Sequence, residues 1–448
     1  MFSRLTVFVC WCAMSPLAAQ DDFFTAAAER IEQHRKQDAV VHLRARDGSP
    51  LPGARIRVVQ RDHAFVFGTQ VNARFWEECG DEHPYRRAII AGDFNTAVLG
   101  NALKWTSWER MQRRERAVRA IDWFERHGLR VRGHTMVWGT DNWGVSGPMD
   151  IRALVERAEG EDVAGYRWRG EPQPAVVRAR IDGHIRSLGS FFRGRIHDWD
   201  VLNEPTSENW WTVLLDPEAD PRRSQLMVDW FRAARAGAGP GARLAINDFH
   251  ILVGDHRQHR DDYAAVITYL QEHGAPLDAI GFQGHFYHSN LRRSPAQLYA
   301  VLERFGRFGL PMFVSEFDCS GKGWGENRDA AEKARAQFLR EILITCFSHP
   351  QVDGFVIWGY WDGSHWLGNA PFYRADWSAK PGLAVWRELV RDRWWTEVAG
   401  TTDAEGRFAF RGFKGRYEVV VVNEAEEEIL VAPVRLGDAP AVFHLAAR

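Results

Sequence analysis

Trp199-Asp200-Val201-Leu202-Asn203-Glu204-Pro205 and Phe313-Val314-Ser315-Glu316-Phe317-Asp318 are short apolar runs that each finish in carboxylates. Runs this short and this apolar read as strands buried on both faces of a parallel sheet. Extended backwards they give predicted strands at Ile196–Val201 and Met312–Phe317. Six further runs share the character: Phe65–Gln70, Thr96–Leu99, Val131–Met136, Arg243–Ile246, Ala279–Phe282 and Gly354–Trp358. Between them lie helix-period segments at Arg110–His127, Ala175–Phe192, Asp261–His273, Pro295–Phe308 and Arg328–Phe347. Gly128, Gly274 and Gly309 follow three of these, where a left-handed residue is wanted to stop a helix. Eight strands alternating with helices predict an α/β fold, the closed (β/α)8 TIM barrel. An open doubly wound sheet would carry a phosphate-binding glycine turn after its first strand, and none is present. Gly321, Gly323 and Gly325 follow the seventh strand without the helix-opening context and read as a loop.

Outward from the barrel the pattern changes. Val40–Gln60 and Gly400–Arg448 read as short alternating strands with turns at Asp47-Gly48 and Glu405-Gly406. Neither segment alone makes a stable sheet, so the two termini are expected to build one small accessory β module. Its expected role is a brace on the barrel, with separate sugar binding as the alternative. The chain is expected to divide into a signal peptide (1–20), an N-terminal helix and β segment (21–63), the barrel (64–395) and a C-terminal β segment (396–448). The signal peptide is read from Arg4, the apolar run Leu5 to Met14, Pro16, and the small Ala18 and Ala19 before a cleavage point near Ala19 or Gln20. Export follows as an expectation, to the periplasm or the medium.

Over 448 residues, hydrophobic side chains make up 45% and charged ones 26%, ordinary for a globular chain. The net charge of −2, without long runs of one sign, gives no electrostatic footprint for nucleic acid or an anionic membrane. A neutral partner and a monomer are expected. Twenty Trp fit either core packing or stacking on the C–H faces of sugars. Once Cys10 and Cys12 leave with the signal, Cys79, Cys319 and Cys346 allow at most one disulfide and show no zinc spacing. No cofactor motif is present.

In such a barrel the active site lies at the C-terminal strand ends. Glu204 and Glu316 end the fourth and seventh strands, a pairing far more informative than a lone glutamate. With further strand-end motifs, the chain resembles glycoside hydrolase family 10, whose members are chiefly endo-β-1,4-xylanases. The matching pieces are Phe67-Gly68 to Asn72, Asn101-Ala102-Leu103-Lys104-Trp105, Arg132-Gly133-His134-Thr135-Met136-Val137-Trp138 and Trp199 to Glu204. Asn247-Asp248, Gln283-Gly284-His285, Glu316 with Asp318, and Trp358-Gly359 through Asp362 to Trp366 complete the series. The flanking β segments resemble the plant-like branch of the family.

The resemblance implies that Glu204 is a general acid/base and Glu316 a nucleophile in retaining hydrolysis, with their carboxyls about 5–5.5 Å apart. Repulsion from Glu316 is expected to keep Glu204 protonated. Asn203 matches the residue that bonds the sugar 2-hydroxyl, with helix capping as its alternative role. His285 matches the partner of the nucleophile, Asp318 the group orienting that imidazole, and Gln283 the neighbour of the acid/base. Asn72, Asn101, Lys104 and His134 match binders of sugar hydroxyls. Trp105, Trp138, Trp358 and Trp366 belong with the cleft walls, although core packing is an equal alternative for Trp105. A zinc site from His134, His285 and His288 is a competing reading, which a two-carboxylate hydrolysis does not require. The implied partner is a polysaccharide, xylan or its oligosaccharides, with another β-linked glycan or a non-catalytic glycan-binding barrel as alternatives.

Two positions depart from the family. Gly100 stands where it usually has Glu, and Gly139 where it usually has His. Both losses fall on the non-reducing side of the cut. The expectation is that these glycines open room for a decorated sugar, with Trp143 and Trp168 of the Thr140–Pro174 loop rebuilding the wall.

Overall fold

The structure, a computed structural model, describes residues 16–91, 94–142, 146–157, 166–422 and 428–446. The apolar run Leu5–Met14 lies outside them, and the first helix is Pro16–Arg35.

Eight parallel strands close a barrel in chain order: Val66–Val71, Thr96–Leu99, Arg130–Trp138, Asp198–Asn203, Arg243–Asp248, Ala279–Phe286, Met312–Cys319 and Val352–Ile357. Each lies where the sequence puts a strand. Several run further toward their C-terminal ends than the apolar runs suggest, because their last residues are polar yet buried. Every position of the sixth and seventh strands is buried, the signature of a strand covered on both faces. Register shifts fall between His134 and Val137, Asp200 and Leu202, Phe282 and Gln283, and Val314 and Phe317. Such irregularities re-aim side chains, and these sit just before or within the functional strand ends.

The outer ring includes Met111–Arg126, Pro174–Phe191, Gln225–Ala238, Arg257–Glu272, Pro295–Gly306 and Arg328–Ser348. Gly128, Gly274 and Gly309 take φ of 75°, 65° and 72°, as their place at the helix ends requires.

The termini build two further sheets. Arg407–Phe413, Lys36–Arg44 and Ala441–Ala446 form one; Glu397–Thr401, Arg55–His63, Gly415–Val422 and Glu428–Leu436 form the other. Alternate residues of both, among them Val41, Leu43, Val58, Phe410, Tyr417 and Val419, share one apolar cluster. The module is tied to the barrel through His63, whose ring meets Phe67, Phe347, Trp395 and Phe413 edge-on. Arg35 adds bonds to the carbonyls of Phe347, His349 and Val352. Cys79, Cys319 and Cys346 are buried and free.

Candidate active site

The fourth strand ends with Asn203 buried and Glu204 turned out of the barrel. Glu204 takes φ 57°, a conformation costly for a side chain with a Cβ, and its N–H donates to Asn247 O at 2.7 Å. The residue as a whole is half-buried at the mouth. Oε1 accepts from Gln283 Nε2 at 2.7 Å and Asn203 Nδ2 at 2.9 Å, and Oε2 accepts from Trp138 Nε1 at 2.9 Å.

Glu316, on the seventh strand, is buried. Its Oε1 accepts from Asn247 Nδ2 at 2.9 Å, and His285 Nε2 stands 3.3 Å from Oε2. Asn247 Nδ2 also donates to Asn203 Oδ1 at 2.9 Å, while Ser315 Oγ donates to Asn247 Oδ1 at 2.7 Å. One chain of amides therefore links Glu204 through Asn203 and Asn247 to Glu316 at the same end of the barrel. Asn203 thus does not cap a helix.

The two glutamates sit in opposite electrostatic settings. Burial raises the Glu204 carboxyl most, Gln283 opposes it, and the charges of Glu316 and Asp248 add to the rise, which reaches about 7. The like-charge repulsion expected from the sequence is real but smaller than desolvation. Burial also works on Glu316, yet there His134, His285 and Lys104 outweigh it and hold the carboxyl below its ordinary value. Below about pH 7 the pair thus holds one protonated carboxyl and one carboxylate.

Positive groups around Glu316 explain its charge. Burial disfavours the His285 cation, but Asp318 and Glu316 overcome this and lift its pKa to about 10. Its Nδ1 lies 3.0 Å from Asp318 Oδ2, an ion pair outside hydrogen-bond alignment. Trp366 Nε1 donates to the same Asp318 oxygen at 2.6 Å. His134 Nδ1 bonds Asp200 Oδ2 at 2.9 Å and stands 4.0 Å from Glu316 Oε1. Arg132 bridges Asp200 and Asp198 behind it. Lys104 donates to Asn101 Oδ1 at 2.9 Å and lies 4.3 Å above the Trp138 ring. Burial pulls its pKa down to about 8 against the opposing pull of Glu316, Glu204 and Asp200.

Aromatic rings frame the groove. Trp358 is half-buried and edge-on to both His134 and His285. Trp366 is 54% exposed and stands perpendicular to His285 and Tyr287, leaving much of its ring accessible.

Some expected roles are corrected. Trp105 is 4% exposed, stacks on His184 and donates to Glu109 Oε1, so it is core and no cleft wall. Asn72 caps helix Ala73–Glu78, its side-chain oxygen accepting from Arg74 N and Phe75 N. His288 accepts from Asn290 N, so the three histidines of the zinc alternative serve separate partners. The two departing glycines open no room. A Cβ on Gly139 would strike the Glu208 carbonyl and stand 3.3 Å from Trp210 N, since Gly139 bridges Asn209. A Cβ on Gly100 would stand 2.5 Å from Gln70 Nε2. Trp168 packs against the barrel core, and Trp143 lies outside the described residues.

Asn247, Ser315 and Asp200 are the groups the sequence reading left without a role, although Asn247 and Asp200 stand inside its motifs. Asp248, beside Asn247, is held by His259 at 3.0 Å and by Thr206.

Residues 56–387 match the profile of Glycosyl hydrolase family 10. The chain belongs to this family. Endo-1,4-beta-xylanase 1 of Arabidopsis thaliana is 26% identical over 407 residues, which cover 90% of this chain and 38% of that one. Anti-sigma-I factor RsgI6 of Acetivibrio thermocellus is 28% identical over 399 residues, covering 88% of this chain and 46% of its own. The chain thus spans less than half the length of either relative. Among solved structures, xylanase 10B from Thermotoga maritima superimposes with a TM-score of 0.59 at 22% identity, covering 74% of this chain and 96% of that one. At that identity the likeness concerns the fold, and the family 10 barrel here is the same (β/α)8 architecture.

Proposed function

We propose that this family 10 protein is a retaining endo-β-1,4-xylanase, with Glu316 attacking the anomeric carbon and Glu204 protonating the departing oxygen. The carrying observation is the amide-linked pair, one glutamate raised to about 7 and the other held ionised. When Glu316 is esterified by the sugar its charge disappears, the Glu204 proton becomes easier to lose, and Glu204 then activates water. Asn203 faces the same groove and donates toward the sugar 2-hydroxyl as positive charge develops on the ring. His285 and His134 keep Glu316 ionised and oriented, while Trp358 and Trp366 offer faces for xylose. Xylan or xylo-oligosaccharides are the substrate class, and the apolar N-terminal run supports export to meet it.

A second reading is a barrel that binds glycan without cutting it. The complete acid and nucleophile argue against it, since binding alone needs neither. Hydrolysis of 4-nitrophenyl β-xylobioside separates the two. The wild type turns it over, and Glu316→Gln, of nearly equal shape but without charge, loses at least about 10³-fold in kcat. Equal rates for the two proteins would contradict the hydrolase.

A further inference from the structure

Gly100 is a glycine without a backbone reason, because its φ lies outside the left-handed region. What it lacks is space. The Gln70 side chain, rising from the first strand, fills the volume a side chain at position 100 would need: an ideal Cβ there would stand 2.5 Å from Nε2 and 3.1 Å from both Cδ and Cγ. On the other side, a Cβ on Gly359 after the eighth strand would lie 3.5 Å from Gln70 Oε1. The amide therefore spans the rim between the second and eighth strand ends, next to the stretch that carries Asn101 and Lys104 and the one that carries Trp358. It is half-buried. No hydrogen bond to its side-chain oxygen or nitrogen occurs among the described residues, so both are available to a ligand.

The geometry points to Gln70 as the specificity-determining residue on the non-reducing side of the groove, where its amide bonds the hydroxyls of the second sugar in the place the family gives to a glutamate. This rests on the hydrolase reading above. A side chain at position 100 would push the Gln70 amide from where it stands, so the glycine keeps the glutamine in place. An amide offers a donor and an acceptor, where a carboxylate only accepts. The subsite is therefore read by a neutral side chain.

The test compares 4-nitrophenyl β-xyloside, which fills only the site at the cut, with 4-nitrophenyl β-xylobioside, which also fills the next. Gln70→Ala lowers kcat/KM on the xylobioside about fivefold and leaves the xyloside within twofold, the size of one lost neutral hydrogen bond. The double variant Gln70→Ala, Gly100→Glu, which installs the family arrangement, recovers most of the xylobioside rate. Equal losses on both substrates, or none on either, overturn the inference. A wild type that cleaves neither substrate contradicts the hydrolase reading. In that case titration calorimetry with xylotriose still decides the inference: weaker binding by Gln70→Ala supports it, and equal affinity overturns it.

Discussion

A glutamate at the end of a buried strand takes its protonation state from the groups that share its pocket, and here two identical side chains are driven apart. Glu204 is desolvated and meets neutral donors and neighbouring carboxylates, while Glu316 is ringed by His134, His285 and Lys104. In the proposed mechanism the catalytic state needs a proton on Glu204 and none on Glu316. Because the Glu204 pKa is raised to about 7, its proton is present below that pH and lost above it, so kcat/KM falls on an alkaline limb near pH 7. Because Glu316 is lowered, the acid limb lies below the ordinary carboxylate range. A pH profile on the aryl xylobioside checks both limbs, and an alkaline limb two units higher would contradict the assignment of Glu204 as the acid. Residue types and strand ends made this pair legible in the sequence. The size order of the causes was not, because burial of Glu204 comes from walls contributed by several strands.

At the scale of elements, each barrel strand was legible because two-sided burial leaves a continuous apolar run, and glycines with left-handed φ marked helix ends. The missing information lies between elements. Asn247 was visible in an Asn-Asp pair after the fifth strand, but its bridge from Asn203 to Glu316 depends on three strands meeting. Gly100 and Gly139 looked alike as departures from the family, yet one gives way to a side chain and the other to a backbone. That difference is measurable. Gly139→Ala drives a Cβ into the Glu208 carbonyl, just where Glu208 N bonds Glu204 O at 2.8 Å, and costs roughly 1–3 kcal/mol. Gly100→Ala meets only the flexible Gln70 and stays within about 0.5 kcal/mol of the wild type. Urea unfolding of both variants compares them, and equal costs would contradict this account of the two glycines.

At the scale of the whole molecule, barrel closure brings the ends of the fourth and seventh strands to one rim, and the β module packs against the barrel. The module's strand pattern was legible at both termini. Its division into two sheets around one core was not, since each sheet mixes strands from both ends of the chain. His63 and Arg35 fix the module and first helix to the helices and strands of the barrel, while the carboxylates stand at the C-terminal strand ends. The proposed mechanism then depends on Glu204 and Glu316 acting on opposite faces of one glycosidic bond, close enough for attack without an intervening water. Proton NMR of the first sugar released from 4-nitrophenyl β-xylobioside, read before mutarotation, tests this directly. The account predicts the β-anomer first, from two successive inversions, and an α-anomer appearing first would contradict it.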